Sequence, residues 1–474
     1  MIKMILLCAF LLYLNNLSFS QNVTITGKAP AYEGEEISVL IYDDYLSYTE
    51  KELANSKIDD EGNFKLTFDI ASTTYAKISI NETVKTLYIE PGSKYEIIFP
   101  SGNAGNPQIP DKQSGKPIEI VNADDNELNR LISNFDSSFS DFTIEHYPLL
   151  IKGGGKAEVD SFIVITKAKY SNINNSYFNT HIHYNFASIE QLTLKNKKKL
   201  LEERYILSQP VMSNHKEYMD FITSYFTNHL LMLSLSQDGQ GIRTEINENK
   251  NYQGLMNIMG NDNLLANGTL RELILLKGLY EVFYNPDFKQ GNILDILDSI
   301  AVKSKIAEHQ KIAKNIMTLL TKLIPGSKAP AFELFDLQNK LIKLSDFKGK
   351  YVYLDFWATW CAPCLKEMRV LQKLSDKYKG QIEFVSISVD RDFSTMKKFL
   401  EKNDYSWTFL HYGGYKKVKS DYNIKSIPAY FLIDAEGFFK QSPAEGPGGN
   451  IERVFIEITQ PKSKKLRIGS KENR

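Results

Sequence analysis

The sequence predicts a multidomain protein with an N-terminal all-β sandwich, an α-helical middle region and a C-terminal α/β fold. Its 474 residues exceed what one hydrophobic core organises, which indicates about three domains. The period of the apolar residues also changes twice, from alternation to helical spacing and then to strands that alternate with helices. The formal net charge of zero implies no bulk attraction to nucleic acid or membranes.

Residues 1–20 have the pattern of a secretory signal peptide. A basic residue precedes the apolar run Ile5–Tyr13, and Ser18-Phe19-Ser20 supplies a small-x-small cleavage site. An uncleaved membrane anchor is the alternative, but the apolar run is shorter than the ~20 residues that span a bilayer. We therefore expect export from the cytoplasm. Because Cys8 lies in this segment, the mature protein would keep two of the three cysteines.

The region 21–100 shows short alternating runs separated by turn residues, which is typical of an antiparallel β-sandwich. The expected strands are Val23–Lys28, Glu36–Tyr42, Gly62–Phe68, Tyr75–Ile80, Val84–Ile89 and Lys94–Phe99. The segment 101–123, which begins with many Gly, Pro and Asn residues, is expected to be a linker.

In the region 124–324 apolar residues recur at i, i+3 and i+4, which predicts a helical domain. The expected helices are Glu127–Phe135, Lys195–Leu207, Glu217–Leu235, Leu270–Tyr284 and Ile293–Leu323. His181-Ile182-His183 could ligate a metal, but an H-x-H among polar residues is typical of a protein surface. We therefore expect it to be a surface feature without a metal.

From residue 325 to 460 strands alternate with helices, which predicts a central sheet flanked by helices. The expected strands are Tyr351–Phe356, Ile382–Val389, Trp407–Leu410 and Tyr430–Ile433. The expected helices are Cys361–Tyr378, Ser394–Asn403, Lys416–Tyr422 and Ile451–Ile458. The basic segment 461–474 is expected to be a solvated, disordered tail.

The stretch Asp355–Cys364 joins an apolar strand to a C-x-x-C motif at the predicted start of a helix. Two cysteines at this spacing can close and reopen a small disulfide ring, which is the chemistry of thiol–disulfide exchange. A helix N-terminus directs backbone N–H groups at Cys361, which favours its thiolate, and Pro363 fits the first helical turn. We therefore expect Cys361 to be the exposed nucleophile and Cys364 to be the buried resolving thiol.

Resolution of a mixed disulfide needs a proton acceptor, and two carboxylates are candidates. Asp355 lies in an apolar strand, where a carboxylate is costly enough to indicate a raised pKa and a functional role. Glu367 follows Cys364 by three residues and lies on about the same helix face. The alternatives for these two residues are a hydrogen-bonded structural aspartate and an ordinary solvated glutamate. Trp357 and Trp360 are expected to wall the site.

The segment Phe356–Cys364 resembles the active site of exported bacterial thiol–disulfide oxidoreductases of the TlpA-like and ResA-like kind, which have the thioredoxin fold. Three further segments agree with this family: Gly326–Phe332 (G-x-x-A-P-x-F), Leu344–Lys350 (L-S-D-x-x-G-K) and Asp434–Gly437 (a hairpin). Ile427-Pro428 matches the cis-proline loop, which in this fold presents its backbone to an extended substrate. The region 21–100 is similar to a small domain of unknown function that precedes the thioredoxin module in many relatives.

This resemblance implies a disulfide reductase that acts on exported proteins in the periplasm or cell envelope of a bacterium. It also implies an upstream membrane electron donor, and no cofactor, metal or nucleic acid is expected. Cys361 and Cys364 would form the redox disulfide, Glu367 would be the active-site glutamate, and Asp355 lies where thioredoxin keeps a buried aspartate. The expected substrate-binding residues are Trp360, Pro363, Ile427 and Pro428.

One position departs from the family, because Arg369 stands where a proline usually follows the glutamate by two residues. This difference puts the kink of the helix in doubt, while the sulfur chemistry does not depend on it.

Three alternatives compete with this interpretation. Structural zinc needs four ligands, and the sequence has no second cysteine pair and no C-x-x-H. A peroxidase shares the A-P-x-F and G-K elements but needs a single cysteine in a T-x-x-C setting, which Cys361 lacks. The non-enzymatic alternative is a scaffold that binds a partner protein or glycan, with the thioredoxin-like domain as an accessory. A Cys361 substitution would distinguish the scaffold, because its function would survive the change.

Overall fold

The structure is a computed structural model that describes residues 20–81, 83–99, 118–193, 198–413, 416–424 and 426–460. Nearly all of the expected signal peptide, most of the expected linker and the basic tail lie outside these residues. The chain divides into two compact units, with the boundary between Met317 and Thr318. None of the helices in the described ranges combines the length and the hydropathy needed to cross a bilayer.

The first unit begins with two four-stranded sheets. Their strands are β1 Gln21–Lys28, β2 Glu36–Tyr42, β3 Glu50–Lys57, β4 Asn63–Ile70, β5 Thr74–Ile80, β6 Thr83–Ile89, β7 Lys94–Ile98 and β8 Glu119–Ile120. The strand orders are β4-β1-β7-β8 and β3-β2-β5-β6, and β1 pairs in parallel with β7. Alternate apolar residues, including Ile25, Val39 and Ile78, form a common core. The predicted all-β N-terminal region is confirmed.

The apolar pattern predicts six of these strands and misses β3 and β8. β3 is an edge strand with the sequence EKELANSK, and most of its side chains are exposed or half-buried. A polar edge strand lacks the alternation that marks a strand with one buried face. β8 has two residues, which is too short to form a pattern.

The described residues between 128 and 322 form helices joined by short loops, which confirms the predicted helical middle. Its helices are α1 Leu128–Leu150, α2 Lys156–Lys169, α3 Ser176–Thr193, α4 Lys198–Glu202, α5 Lys216–Tyr225, α6 His229–Ser234, α7 Tyr252–Met259, α8 Gly268–Val282, α9 Gln290–Lys303 and α10 Ala307–Lys322. Single helical turns at Glu203–Leu207, Ile242–Thr244, Glu245–Asn249 and Asn263–Leu265 lie between them.

The helix boundaries differ from the sequence expectation in two ways. The predicted helix Glu217–Leu235 is two helices, because Asn228 has a left-handed backbone (φ 55°) that interrupts it. The predicted helix Ile293–Leu323 is likewise interrupted, after Lys303. The helices α2, α3 and α7 were not expected. In α2 the apolar Val164 and Ile165 lie on the exposed side, so its sequence shows no single apolar stripe.

A buried polar cluster in the first unit connects β6 with α1, α3 and α5. Glu217 lies at its centre, with its carboxylate oxygens 3.1 Å from His181 Nδ1 and 3.3 Å from His215 Nδ1. The Tyr88 hydroxyl donates to Glu217 Oε1 at 2.8 Å, and Asp136 Oδ1 lies 2.7 Å from His181 Nε2. The expectation that this H-x-H lies at the surface is wrong for His181, which is buried.

Opposite charges in this cluster keep one another ionised. Burial alone would lower the pKa of His181, but Asp136 and Glu217 raise it to about 9. Burial alone would raise the pKa of Glu217, but the hydrogen bond and charge of His181 lower it to about 2. Nowhere in the described ranges do three or more His, Cys, Asp or Glu side chains form a group that could hold a metal ion.

The second unit is a seven-stranded sheet of order β10-β9-β13-β12-β11-β14-β15 packed against helices. Its strands are β9 Glu333–Asp336, β10 Leu341–Lys343, β11 Tyr351–Trp357, β12 Ile382–Ser388, β13 Thr408–His411, β14 Ala429–Ile433 and β15 Phe439–Gln441. Its helices are α11 Ala362–Lys377, α12 Phe393–Leu400, α13 Lys416–Asp421 and α14 Ile451–Thr459. The predicted C-terminal α/β fold is confirmed.

β11 is an inner strand of this sheet, between β12 and β14, and it positions the candidate site. It pairs in parallel with β12 and antiparallel with β14, and all its residues from Val352 to Trp357 are buried. The carboxyl end of β11 runs through a short loop into Cys361 and α11. Ala429 at the start of β14 pairs with Phe356, so the loop before β14 meets the same end of the sheet.

Candidate active site

Cys361 and Cys364 form a disulfide, with an S–S distance of 2.04 Å and a Cα–Cα distance of 5.3 Å. Cys361 is the N-cap residue of α11, and the backbone N–H of Cys364 donates to its sulfur at 3.2 Å. Pro363 occupies the first turn, where helices need no N–H donor. The cysteine pair therefore lies at a helix N-terminus, where backbone donors stabilise a negative sulfur.

The exposure of the site differs from the sequence expectation. Cys361 is 5% exposed and Cys364 is 2% exposed, so the prediction of an exposed Cys361 is wrong for this disulfide form. Trp360, in the loop, is the exposed side chain at 68%. Trp357 ends β11 and packs inward against Phe399 and Phe409, which makes it part of the core.

A buried aspartate, Asp390, holds the loop that precedes Cys361 through hydrogen bonds. The carboxylate of Asp390 accepts the Thr359 N–H at 3.1 Å, the Thr359 hydroxyl at 2.7 Å and the Ser388 hydroxyl at 2.7 Å. Asp390 lies two residues after the end of β12, so these bonds connect the cysteine loop to the neighbouring strand. His411 Nε2 lies 2.8 Å from the Asp390 carbonyl oxygen, and this hydrogen bond connects Asp390 to β13 as well.

The Ile427–Pro428 peptide bond is cis, as the sequence match implies. It lies directly before β14, next to the end of β11 that leads to Cys361. At the departure from the family pattern, α11 continues through Arg369 to Lys377.

Asp355 is a buried carboxyl group on β11. Its Oδ1 accepts a hydrogen bond from the Ser386 hydroxyl, and Trp407 Nε1 donates to Ser386 Oγ at 2.7 Å. Burial raises the pKa of Asp355, the Ser386 hydrogen bond lowers it, and the charge of Glu367 raises it, so that it reaches about 7. The raised pKa expected from the sequence is found, and this carboxyl group can take up or release a proton near neutral pH.

Glu367 on α11 is held by a tyrosine. The Tyr430 hydroxyl donates to Glu367 Oε2, and the Tyr430 ring stacks on Tyr353 with centroids 5.6 Å apart. A Cβ atom at Gly446 would lie 3.1 Å from the Tyr430 ring and 3.4 Å from Glu367 Oε1, so the glycine permits this close packing. The ordinary solvated glutamate of the alternative interpretation does not describe Glu367.

The structure gathers five of the predicted site residues at the end of β11 and the start of α11: Cys361, Cys364, Trp360, Pro363 and Pro428. The charge of Glu367 on α11 acts on Asp355 on β11 and raises its pKa. The sequence pattern does not predict Ser386, Trp407 and Tyr430 as residues of the site. A serine inside the apolar strand Ile382–Ser388 was the available signal, because a polar side chain in a buried strand needs a partner.

A disulfide ring at a helix start accepts electrons when it opens and gives them up when it closes. The ring follows the carboxyl end of β11, the strand that carries Asp355 and that pairs with β14 directly after the cis-proline Pro428. The second unit is therefore a thiol–disulfide oxidoreductase domain of the thioredoxin fold.

Comparison with known proteins shows to which family this domain belongs. Residues 325–442 match the AhpC/TSA family. The thiol-disulfide oxidoreductase ResA of Bacillus thuringiensis subsp. konkukian is 38% identical over 140 residues, which cover 29% of this chain and 80% of that protein. ResA of Geobacillus kaustophilus is 38% identical over 132 residues, 27% of this chain and 75% of that protein. The chain belongs to the ResA family of thiol–disulfide oxidoreductases through this C-terminal region.

The crystal structure of a putative thiol-disulfide oxidoreductase from Bacteroides vulgatus aligns 99% of its chain with 29% of this one, at 32% identity and a TM-score of 0.28.

Proposed function

We propose that the protein is an exported reductase of protein disulfides, in which Cys361 attacks the substrate and Cys364 resolves the product. The observation that carries this proposal is the Cys361–Cys364 disulfide at the N-terminus of α11. This pair is a dithiol–disulfide couple, and reduction of the substrate is the direction that the family resemblance implies. The apolar run and cleavage pattern in residues 1–20 support export.

The exchange proceeds in two steps. The Cys361 thiolate attacks one sulfur of the substrate disulfide, so a bond forms between protein and substrate, and the displaced substrate sulfur takes a proton. Cys364 then loses its proton and attacks the Cys361 sulfur, which closes the disulfide and displaces the second substrate sulfur as a thiol. Two electrons pass from the protein dithiol to the substrate. An upstream dithiol donor, the proposed membrane electron donor, reopens the ring.

Asp355 is the proposed acceptor for the Cys364 proton, because a pKa of about 7 leaves it partly ionised at neutral pH. Glu367 is the proposed second acidic group, and its charge acts on Asp355. The exposed Trp360, with Pro363, Ile427 and Pro428, is proposed to contact an extended segment of the substrate.

A trapping experiment tests the proposal. Reduced full-length Cys364→Ser protein, incubated with insulin as a disulfide-containing probe, should form a covalent adduct that dithiothreitol releases. The matched variant Cys361→Ser should form no adduct, because it keeps a thiol at the resolving position but lacks the nucleophile. Absence of an adduct with Cys364→Ser, or equal adducts with both variants, would contradict the assignment and favour the scaffold alternative.

Export has its own test. Protein expressed in a bacterium with a periplasm should be recovered from the periplasmic fraction with a mass that lacks the first 20 residues. Recovery of the intact mass from the cytoplasm would refute this part of the proposal.

A further inference from the structure

Three side chains form a row across the central strands of the second unit. In the strand register Asp355 on β11 lies opposite Ser386 on β12 and opposite Tyr430 on β14. Residues in register on neighbouring strands point to the same face of a sheet. A hydroxyl group therefore flanks Asp355 on each side, and each holds a carboxylate: Ser386 holds Asp355, and Tyr430 holds Glu367.

The hydrogen bond from Ser386 has a fixed direction. An indole N–H is a donor only, so the Ser386 oxygen must accept the bond from Trp407. The single hydroxyl hydrogen of Ser386 is then left for Asp355. Ser386 is fully buried and Asp355 is 3% exposed, so solvent does not compete for this hydrogen.

We propose that Ser386 is a positioning residue for disulfide exchange: its hydroxyl, oriented by Trp407, holds the ionised form of Asp355 and sets the pH at which exchange begins. This inference rests on the proposed function, in which Asp355 accepts the proton of Cys364. A hydroxyl that donates to a carboxylate favours the charged form. The Trp407–Ser386 pair therefore counteracts burial, which favours the neutral acid.

The other titratable groups that act on Asp355 do not replace this role. Glu367 on α11 contributes a negative charge, which opposes ionisation of Asp355. Tyr353 on the same strand and Tyr430 on β14 both have strongly raised pKa values because of burial, so both stay neutral near neutral pH. Within the described chain, Ser386 is the group that lowers the pKa of Asp355.

The test uses the full-length protein in two measurements. Carbon-13 NMR of the Asp355 carboxyl group follows its protonation in the disulfide form, and single-turnover reduction of insulin by the dithiol form gives the rate against pH. Ser386→Ala should move both midpoints upward by about one pH unit, the size expected for the loss of a hydrogen bond to a charged group. Trp407→Phe should move them in the same direction by less, and Ser386→Thr should restore them.

Two controls separate positioning from a general structural effect. Ser375→Ala removes another buried serine, whose hydroxyl donates to the Gln372 carbonyl, and should leave both midpoints unchanged. In an Asp355→Asn background, Ser386→Ala should cause no further shift in the rate profile.

The experiment distinguishes a failure of the proposed role of Ser386 from a failure of the proposed reductase function. The role of Ser386 would be overturned, and the proposed function left intact, if the Ser386→Ala and Trp407→Phe profiles superimpose on the wild type while Asp355→Asn removes the rise in rate near pH 7. A wild-type protein that reduces no disulfide would refute the proposed function. The NMR titration would still show whether Ser386 holds Asp355.

Discussion

Each compact unit contains buried carboxylates, and one of each, Glu217 in the first unit and Asp355 in the second, have neighbours of opposite kinds. In the first unit Glu217 lies between His181 and His215, and the charge of His181 lowers the pKa of Glu217 to about 2 despite burial. In the second unit Asp355 has a serine and the negative Glu367 beside it, and its pKa is raised to about 7. Burial raises the pKa of both carboxyl groups. At Glu217 the hydrogen bond and the positive charge of His181 outweigh burial, whereas at Asp355 burial is the largest effect and the Ser386 hydrogen bond offsets it only in part.

The largest effect is expected when the proton-exchanging carboxyl group, Asp355, is removed. Asp355→Asn removes the proposed acceptor and should slow single-turnover disulfide reduction by about 10²- to 10⁴-fold at pH 7 to 8, the range that general base catalysis contributes. The rise in rate that follows the ionisation of Asp355 near pH 7 should disappear as well, while the dependence on the Cys361 thiolate remains. A variant with the wild-type rate and profile would show that Asp355 is a structural aspartate.

The next largest effect is expected when the ionised cluster around Glu217 in the first unit is disrupted. His181→Ala leaves Glu217 buried without its main positive partner and should destabilise the first unit by about 3–5 kcal/mol. Pulse proteolysis in urea, with fragments assigned to each unit by mass, measures this loss. Lys156→Ala, which removes an exposed ion pair with Asp160, is the control and should cost less than about 1 kcal/mol. Disulfide reduction should be unchanged in both variants.

The two units should also lose stability in different pH windows. His181 has a raised folded pKa, so its contribution is complete below the unfolded value of 6.5 and is lost as pH rises through about 9. Asp355 also has a raised folded pKa, so its contribution is complete below 3.8 and is lost as pH rises through about 7. Urea midpoints of the two units against pH, by the same proteolysis, should show these separate windows. His181→Ala should flatten the alkaline window alone, and coincident windows would contradict the comparison.

The smallest expected effect concerns the second hydroxyl of the row. Tyr430→Phe removes the donor to Glu367 and should lower the single-turnover rate by about two- to tenfold, the size of one hydrogen bond. Tyr422→Phe is the matched control, because its buried hydroxyl donates to the Pro330 carbonyl at 2.7 Å. The control should leave the rate unchanged, and equal losses in both variants would assign the effect to packing.

The sequence predicts the parts of the fold that depend on local patterns. The buried strand β11, the start of α11 and the cis bond at Pro428 all follow from apolar runs and motifs. β3 is missed because its edge position leaves no apolar alternation to detect. The break at Asn228 is missed because apolar spacing continues across it.

The residues of the candidate site also divide into those that a local motif predicts and those that only the tertiary fold brings in. The cysteine pair and Glu367 come from one contiguous motif, and the raised pKa of Asp355 follows from one polar residue in an apolar strand. Tyr430 and Ser386 reach their carboxylates across neighbouring strands, over 63 and 31 residues of sequence. Such contacts depend on strand register, which the sequence pattern alone does not give. The exposure of Cys361 is mispredicted because burial of a loop residue is also set by tertiary packing.

The distribution of indole rings has a practical consequence. All three tryptophans of the chain, Trp357, Trp360 and Trp407, lie in the second unit, and Trp360 projects into solvent beside the disulfide. A nearby disulfide quenches indole fluorescence, so emission should brighten when the ring opens and dim when it closes. Intrinsic tryptophan fluorescence should therefore report the redox state of the cysteine pair during turnover, without an added dye.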